Sequence, residues 1–157
     1  MASDRGHANA FVRRDKVLIH AMAFIHKGGA MTDDFNSFTA LHTLKDADAS
    51  VGASVRQALL NSHFTPIGYS GANDAKLALA RAMGLKSTGT LYTFAKTAPI
   101  DWANGMIELK PWRHIRGSEF APFTEDYRAG REAILVSFDS VDSKIGAALK
   151  DCIARCL

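Results

Sequence analysis

The sequence has few of the features that stabilise a small extracellular protein. It contains two cysteines among 157 residues, Cys152 and Cys156, which lie four positions apart near the end of the chain. That spacing suits neither a stabilising disulfide nor a zinc site, which would need further ligands nearby. We therefore expect two reduced thiols on the apolar side of a helix.

Long apolar runs are also missing. The longest, VLIHAMAFI at Val17–Ile25, is interrupted by His20 and is too short to cross a bilayer. The basic residues before it do not form a signal peptide, because Asp4 and Asp15 accompany them and no clear small-residue cleavage site follows. These absences predict a cytoplasmic protein without membrane association.

Neither sign of charge dominates the chain. The net charge is +3 with lysine and arginine scattered along the sequence, so a nucleic-acid partner is not predicted. With 47% hydrophobic and 22% charged residues, the composition is that of one soluble domain. We expect this domain to span residues 1–157, with a loose start over 1–9.

The motifs of common enzyme classes are absent as well. The chain has no nucleophile elbow, no phosphate-binding loop and no dinucleotide fingerprint, and its histidines do not form the i, i+4 pair of a helical zinc site. We therefore predict no catalytic residue, no metal and no cofactor. The alternative is a small RNA-acting hydrolase that gathers His42, His63 and His114 in space as base and acid.

What the sequence does contain is one phrase written twice. DADASVGASVRQALLNS and SVDSKIGAALKDCIARC align without a gap at an offset of 94 residues, and TALHTL before the first aligns with AILVSF before the second. Apolar residues recur at helical spacing in both copies, so each predicts a strand, an acidic loop and a helix, with Asp48 and Asp142 as N-caps. Duplication and similar packing of two helices on one sheet are both open explanations.

Other segments complete the predicted topology. Asn104-Gly105 between two apolar segments predicts a hairpin, and Pro111 should end its second strand. Asn73 or Asp74 should start a helix that stops at Gly84, the segment 85–98 favours another helix, and 26–36 and 62–71 read as connections. The fold class is therefore α+β: a single domain with a mixed, mostly antiparallel sheet, about three helices and two similar strand-helix units.

A polar stretch with interleaved aromatic residues, 112–127, is the best candidate for a binding surface. Tryptophan, tyrosine and arginine anchor protein interfaces, although Trp112, Phe120 and Phe123 could instead pin this stretch to the core. Together with an acidic pair earlier in the chain, the predicted binding residues are Trp112, Arg113, Glu119, Glu125, Asp126, Tyr127, Asp33 and Asp34.

The repeated phrase, D-x-x-[VI]-G-x-x-[VL]-[RK]-x-[AC]-[LI]-x-x-[SC], is followed by HFTPI, LKSTGTLYTFAKTA, GMIELKPW and the final IARCL. In this order it resembles the immunity proteins of bacterial contact-dependent growth inhibition systems, over roughly residues 10–157. The resemblance implies a cytoplasmic protein that binds the C-terminal toxin domain of its cognate effector one to one and blocks it without covalent chemistry. Such toxins are often nucleases, for example tRNases.

The charge of the chain departs from that pattern. Inhibitors that cover a basic nuclease cleft are commonly acidic, whereas this chain has a sequence pI near 9.0. The resemblance therefore implies either a local acidic face, formed by Asp33, Asp34, Glu119, Glu125 and Asp126, or binding away from the active site. A homo-oligomeric adaptor is the remaining alternative.

Overall fold

The computed structural model describes residues 5–25, 31–67, 72–123 and 130–157. These residues form nine strands and three helices. In chain order they are β1 (Gly6–Arg13), β2 (Lys16–Ile25), β3 (Met31–Thr43), α1 (Asp48–Leu60), β4 (His63–Ile67), α2 (Ala72–Ala82), β5 (Ala95–Ala103), β6 (Met106–Leu109), β7 (Trp112–Arg116), β8 (Glu119–Pro122), β9 (Ile134–Ser137) and α3 (Asp142–Arg155).

One mixed sheet organises the fold. Six strands run antiparallel in the order β3-β2-β1-β5-β6-β9, and β4 pairs in parallel with the end of β2. Strands β7 and β8 form a separate antiparallel hairpin. The predicted α+β class, the mostly antiparallel sheet and the three helices are confirmed.

Alternation along the strands gives the sheet two different faces. On the first face, Ala8, Ala10 and Val12 of β1 join the main core, to which α1 and α3 contribute. On the second face, Phe11 of β1 and Leu18 of β2 join a smaller core with α2 and the segment after it. Because successive side chains point to opposite sides, this one strand serves both cores.

Helices α1 and α3 cross at two glycines that the repeated phrase aligns. A Cβ on Gly52 would lie 1.7 Å from the Asp142 carbonyl oxygen, and one on Gly146 would lie 1.8 Å from that of Asp48. No other residue type fits so close a backbone contact. The repeated glycines are therefore explained by the helix crossing.

Each of these two helices also provides a cation that pairs with the aspartate at the start of the other helix. Arg56 Nε donates to Asp142 at 3.1 Å, and Lys150 Nζ lies 2.7 Å from Asp48. The predicted N-cap role of both aspartates is wrong: Ala47 and Val141 occupy the caps, neither makes a side-chain cap bond, and the aspartates begin the helices. Their carboxylates instead pair with the other helix, still near the positive end of their own helix dipole.

The equivalence extends beyond the helices to the strands. The hairpins β1-β2 and β5-β6 both close through two-residue turns, Arg14-Asp15 and Asn104-Gly105. Asp15 O accepts from the amide of Leu44 at 2.8 Å, as Gly105 O accepts from Phe138 at 2.9 Å. The units β1-β2-β3-α1 and β5-β6-β9-α3 are thus related by an approximate two-fold, a match wider than similar helix packing alone requires.

Several local predictions hold. The hairpin at Asn104-Gly105 is confirmed, with φ of 54° and 75° at the two turn residues. Strand β6 ends at Leu109, two residues before Pro111, as predicted. Cys152 and Cys156 are free and buried, which confirms reduced thiols in the apolar core, although α3 ends at Arg155 and only Cys152 lies on the helix.

Other local predictions are wrong, mainly where strands lack a clean pattern. Strand β1 begins at Gly6 and pairs with both β2 and β5, so residues 6–9 belong to the sheet, whereas 1–4 lie outside the described residues. The segment 85–98 is not helical: it forms turns up to Phe94 and then enters β5. Within the predicted connections, 31–36 belongs to β3 and 63–67 forms β4, whereas 26–30 and 68–71 lie outside the described residues.

Candidate functional site

A cleft of about 440 Å³ opens on the second face of the sheet. Its floor comes from the middle of the sheet, and its wall comes from the β7-β8 hairpin, which packs against the second core through Phe120. Polar and apolar side chains line it together: His7, Asn9, Met22, Met31, Thr97, Pro99, Asp101, Lys110, Trp112, Ser118 and Phe120. A concave site with a few converging polar groups is typical of a binding site.

The floor of this cleft carries a polar network beside a buried histidine. Thr97 Oγ1 donates to Asn9 Oδ1 at 2.9 Å, and the Asn9 amide nitrogen lies 3.4 Å from His20 Nε2. His20 Nδ1 lies 3.1 Å from the carbonyl oxygen of Ala21, so a proton on Nδ1 leaves Nε2 to accept from Asn9. The network therefore fixes the orientation of Asn9 under the cleft.

His20 is only 1% exposed, and its environment favours the neutral ring. Desolvation lowers the pKa of His20, and the nearby carboxylate of Asp33, 3.7 Å from Nε2, opposes this only in part. The ring also packs against Phe35, with centroids 4.6 Å apart. At neutral pH this side chain acts as a hydrogen-bonding core residue.

A charged cluster forms the rim of the cleft at the end of β5. Asp101 Oδ1 lies 2.6 Å from His7 Nδ1, and Lys110 contacts both Asp101 and Glu108. Partial burial raises the pKa of Asp101, but hydrogen bonds from His7 and Lys110 outweigh it and hold the pKa below its usual value. The rim thus presents an ionised, hydrogen-bonded carboxylate to a ligand.

Aromatic contacts and main-chain hydrogen bonds hold the β7-β8 hairpin against the rest of the fold. His114 stacks on Phe120 at 4.4 Å, and Phe120 meets Phe11 edge-on at 6.3 Å. The amide of His114 donates to Leu157 O, and the amide of Leu157 donates to Trp112 O. These bonds attach the hairpin to the chain just after α3. Trp112 lines the cleft and also a second cavity of about 600 Å³ that includes Pro111, Phe123 and Arg131.

Comparison with known proteins agrees with this architecture. Residues 7–156 match CdiI, the family of CDI immunity proteins. This chain is a CDI immunity protein. None of the curated proteins matches it.

Two solved structures share its fold. A protein of unknown function, NMB0488 from Neisseria meningitidis, is 20% identical with a TM-score of 0.77, covering 98% of this chain and 96% of that one. A chain of the CdiA-CT/CdiI toxin and immunity complex from Yersinia pseudotuberculosis is 17% identical with a TM-score of 0.78. The match covers 99% of this chain and 99% of that one. At these identities the likeness shows a shared fold alone.

Of the predicted binding residues, Trp112 lines the cleft, and four others lie on elements that border it. Trp112, Arg113 and Glu119 lie on the β7-β8 hairpin, where Glu119 pairs with the exposed Arg116 at 3.4 Å. Asp33 and Asp34 lie on β3, opposite Met22 and Ala21 of β2. The remaining predicted residues, Glu125, Asp126 and Tyr127, lie outside the described residues.

Two histidines of the alternative enzyme hypothesis, His42 and His114, lie on opposite faces of the sheet. His42 uses both ring nitrogens, one to Asp46 at 3.0 Å and one to Ser54 of α1 at 2.7 Å, on the first face. His114 belongs to the hairpin over the second face. Within the described part of the chain, no group of three or more His, Cys, Asp or Glu could hold a metal ion. The side chain of His63 lies outside the described part of the structure.

Sequence reasoning missed the polar residues of the cleft itself, namely His7, Asn9, Thr97, Asp101 and Lys110. A signal was present, because His7 and Asn9 alternate with Ala8 and Ala10 in β1. Polar residues at every second position mark a strand face that is not fully covered by the core. Which strands bring such positions together could not be read locally.

No helix of the described residues is long and apolar enough to cross a membrane.

Proposed function

We propose that this immunity protein neutralises the C-terminal toxin domain of its cognate effector by binding it non-covalently, one to one, in the cytoplasm. The solved relative from Yersinia pseudotuberculosis is a toxin and immunity complex, which supports a toxin domain as the partner. Blocking a toxin that kills at few copies needs nanomolar affinity or better, about −12 kcal/mol. The protein itself performs no chemistry in this proposal.

The observation that carries the proposal is the position of Trp112. This half-buried tryptophan lines both cavities, and its main-chain carbonyl accepts a hydrogen bond from the amide of Leu157. A large aromatic side chain that is partly buried before binding suits an interface anchor, because little side-chain freedom is lost on binding. We propose that the toxin contacts both cavities across Trp112.

Charge placement supports the flanking residues as contacts. Asp33 is 29% exposed beside the cleft and Glu119 is 55% exposed on the hairpin. Together with Asp101 on the rim, they place three carboxylates around the cleft. We propose that Asp33, Asp34 and Glu119 receive cationic groups of the toxin, while Arg113 receives an acidic one.

The direct test is co-expression of the chain with the toxin domain of its neighbouring effector. We expect a stoichiometric complex on size-exclusion chromatography and relief of growth arrest. Trp112→Ala should weaken calorimetric affinity by about 30-fold or more, since anchors of this kind contribute about 2 kcal/mol or more. Free toxin and continued arrest beside the folded wild-type chain would overturn the proposal.

A matched control comes from the opposite side of the molecule. Leu60, at the end of α1, is 52% exposed, and Leu60→Ala should leave affinity unchanged. Equal losses in both variants would show a general effect on folding and would remove Trp112 as the anchor. Melting temperatures of both variants check this point independently.

We further propose that the toxin is a nuclease such as a tRNase, as the family resemblance implies. Northern analysis of tRNA from arrested cells tests this. Cleaved tRNA that becomes intact on co-expression is the expected result. Intact tRNA, rRNA and DNA during arrest would contradict a nuclease.

A further inference from the structure

A second surface lies at the far end of the second face, where β1 turns into β2. Arg13 and Lys16 are cross-strand partners there, and Arg14 occupies the turn. The end of α2 lies beside them, because a Cβ built on Gly84 would sit 3.9 Å from Lys16 Nζ. We call the residues Arg13, Arg14, Lys16, Arg81, Lys86 and Phe94 the turn-end surface.

The turn-end surface concentrates positive charge. None of its five cations forms an ion pair with a carboxylate of residues 5–25, 31–67, 72–123 or 130–157. With Asp15 in the same turn it carries +4, and because the whole chain is +3, the remaining residues carry −1. This region therefore carries a local excess of positive charge.

Phe94 lies within this region, in the turn directly before β5. Its ring is 73% exposed, and its φ of 57° lies in the left-handed region. A bulky residue there carries steric strain, and an exposed ring gives up the stabilisation that burial would provide. The Arg14 guanidinium lies 5.8 Å from the ring centroid, which places a cation beside the exposed ring.

We propose that the turn-end surface is a second contact for the cognate toxin domain, with Phe94 entering an apolar recess bordered by carboxylates. This inference rests on the proposed function, since it assigns a further surface to the same partner. An exposed aromatic with a cationic border is typical of a protein interface centre. A nucleic-acid surface would need a longer basic stripe and further stacking rings, whereas here one ring stands among five cations.

The test uses two substitutions with matched controls. Phe94→Asn removes the ring while keeping a residue that tolerates a left-handed φ, and Leu60→Asn removes another exposed apolar side chain. Lys86→Glu reverses a charge on the turn-end surface, and Lys144→Glu reverses one on the exposed side of α3. Affinity for a catalytically inactivated toxin domain is measured by calorimetry at about 150 and 500 mM NaCl, which changes screening of exposed charges.

We expect Phe94→Asn to weaken toxin binding about tenfold and Lys86→Glu several-fold, with a smaller salt dependence in the latter. The melting temperature of Phe94→Asn should equal or exceed that of wild type. Both controls should bind as wild type does.

Wild-type affinity in both Phe94→Asn and Lys86→Glu, while Trp112→Ala still weakens binding, would overturn this inference and leave the proposed function standing. No toxin binding by wild type would remove both. Anisotropy with a fluorescein-labelled single-stranded RNA of about 12 nucleotides covers the other class of partner. RNA binding lost in both variants, with toxin affinity unchanged, would also overturn the proposal.

Discussion

At the scale of single residues, His20 links the core to the cleft. Its ring is buried, bonded to Ala21 O and Asn9, and 3.7 Å from Asp33. Asp34 also favours the charged ring, but burial dominates and lowers the pKa of His20. Because the unfolded chain then binds a proton more readily than the folded one, stability falls as pH drops below the unfolded value of about 6.5.

We predict that the melting temperature decreases between pH 7.5 and 5.0, and that His20→Gln makes this decrease smaller. His114 on the β7-β8 hairpin, which is not part of this buried network, provides the control, and His114→Gln should keep the wild-type pH dependence. Differential scanning calorimetry at several pH values makes the comparison. An undiminished pH dependence in His20→Gln would show that another group is responsible.

At the scale of elements, the crossing of α1 and α3 decides how tightly the first face is packed. We predict that Gly52→Ala lowers the free energy of unfolding by about 1–3 kcal/mol, because its Cβ would overlap the Asp142 carbonyl and force the helices apart. Alanine normally favours a helix by about 1 kcal/mol over glycine, so the sign of the change is diagnostic. Urea unfolding measures it.

The reverse substitution at the neighbouring exposed position, Ala53, separates helix propensity from steric overlap. Ala53→Gly should also destabilise, by about 1 kcal/mol, through propensity alone. A stabilised Gly52→Ala would mean that the backbones are not in close contact. The equivalent change, Gly146→Ala, should behave like Gly52→Ala because the approximate two-fold makes the two contacts reciprocal.

At the scale of the whole molecule, the two units share one core. Val17 and Val55 of the first unit and Ile107 and Leu149 of the second belong to the same buried cluster. We therefore predict a single cooperative unfolding transition, with circular dichroism and tryptophan fluorescence coinciding. Trp112→Phe leaves Trp102, stacked on Phe138 at 4.0 Å, as the reporter from the second unit. Separate transitions would contradict a shared core.

Local patterns accounted for part of this fold and for less of the site. The helices after Asp48 and Asp142 and the Asn104-Gly105 turn depend on neighbours within a few residues, so the sequence predicted them. The predicted helix over 85–98 is wrong, because the apolar spacing of this segment fits the period of a helix as well as that of a strand. Only its pairing with β1 makes the latter part of this segment a strand.

Local patterns in the sequence are enough to predict the class of the fold, the two similar units and the resemblance to an immunity family. These depend on periodicity, composition and motif order, which are local properties of the chain. Tertiary contacts place Asp101 beside His7, set Trp112 in the lining of two cavities and leave Phe94 exposed near Arg14. Each of these depends on contacts between residues far apart in sequence, and strand pairing across the sheet fixes such contacts.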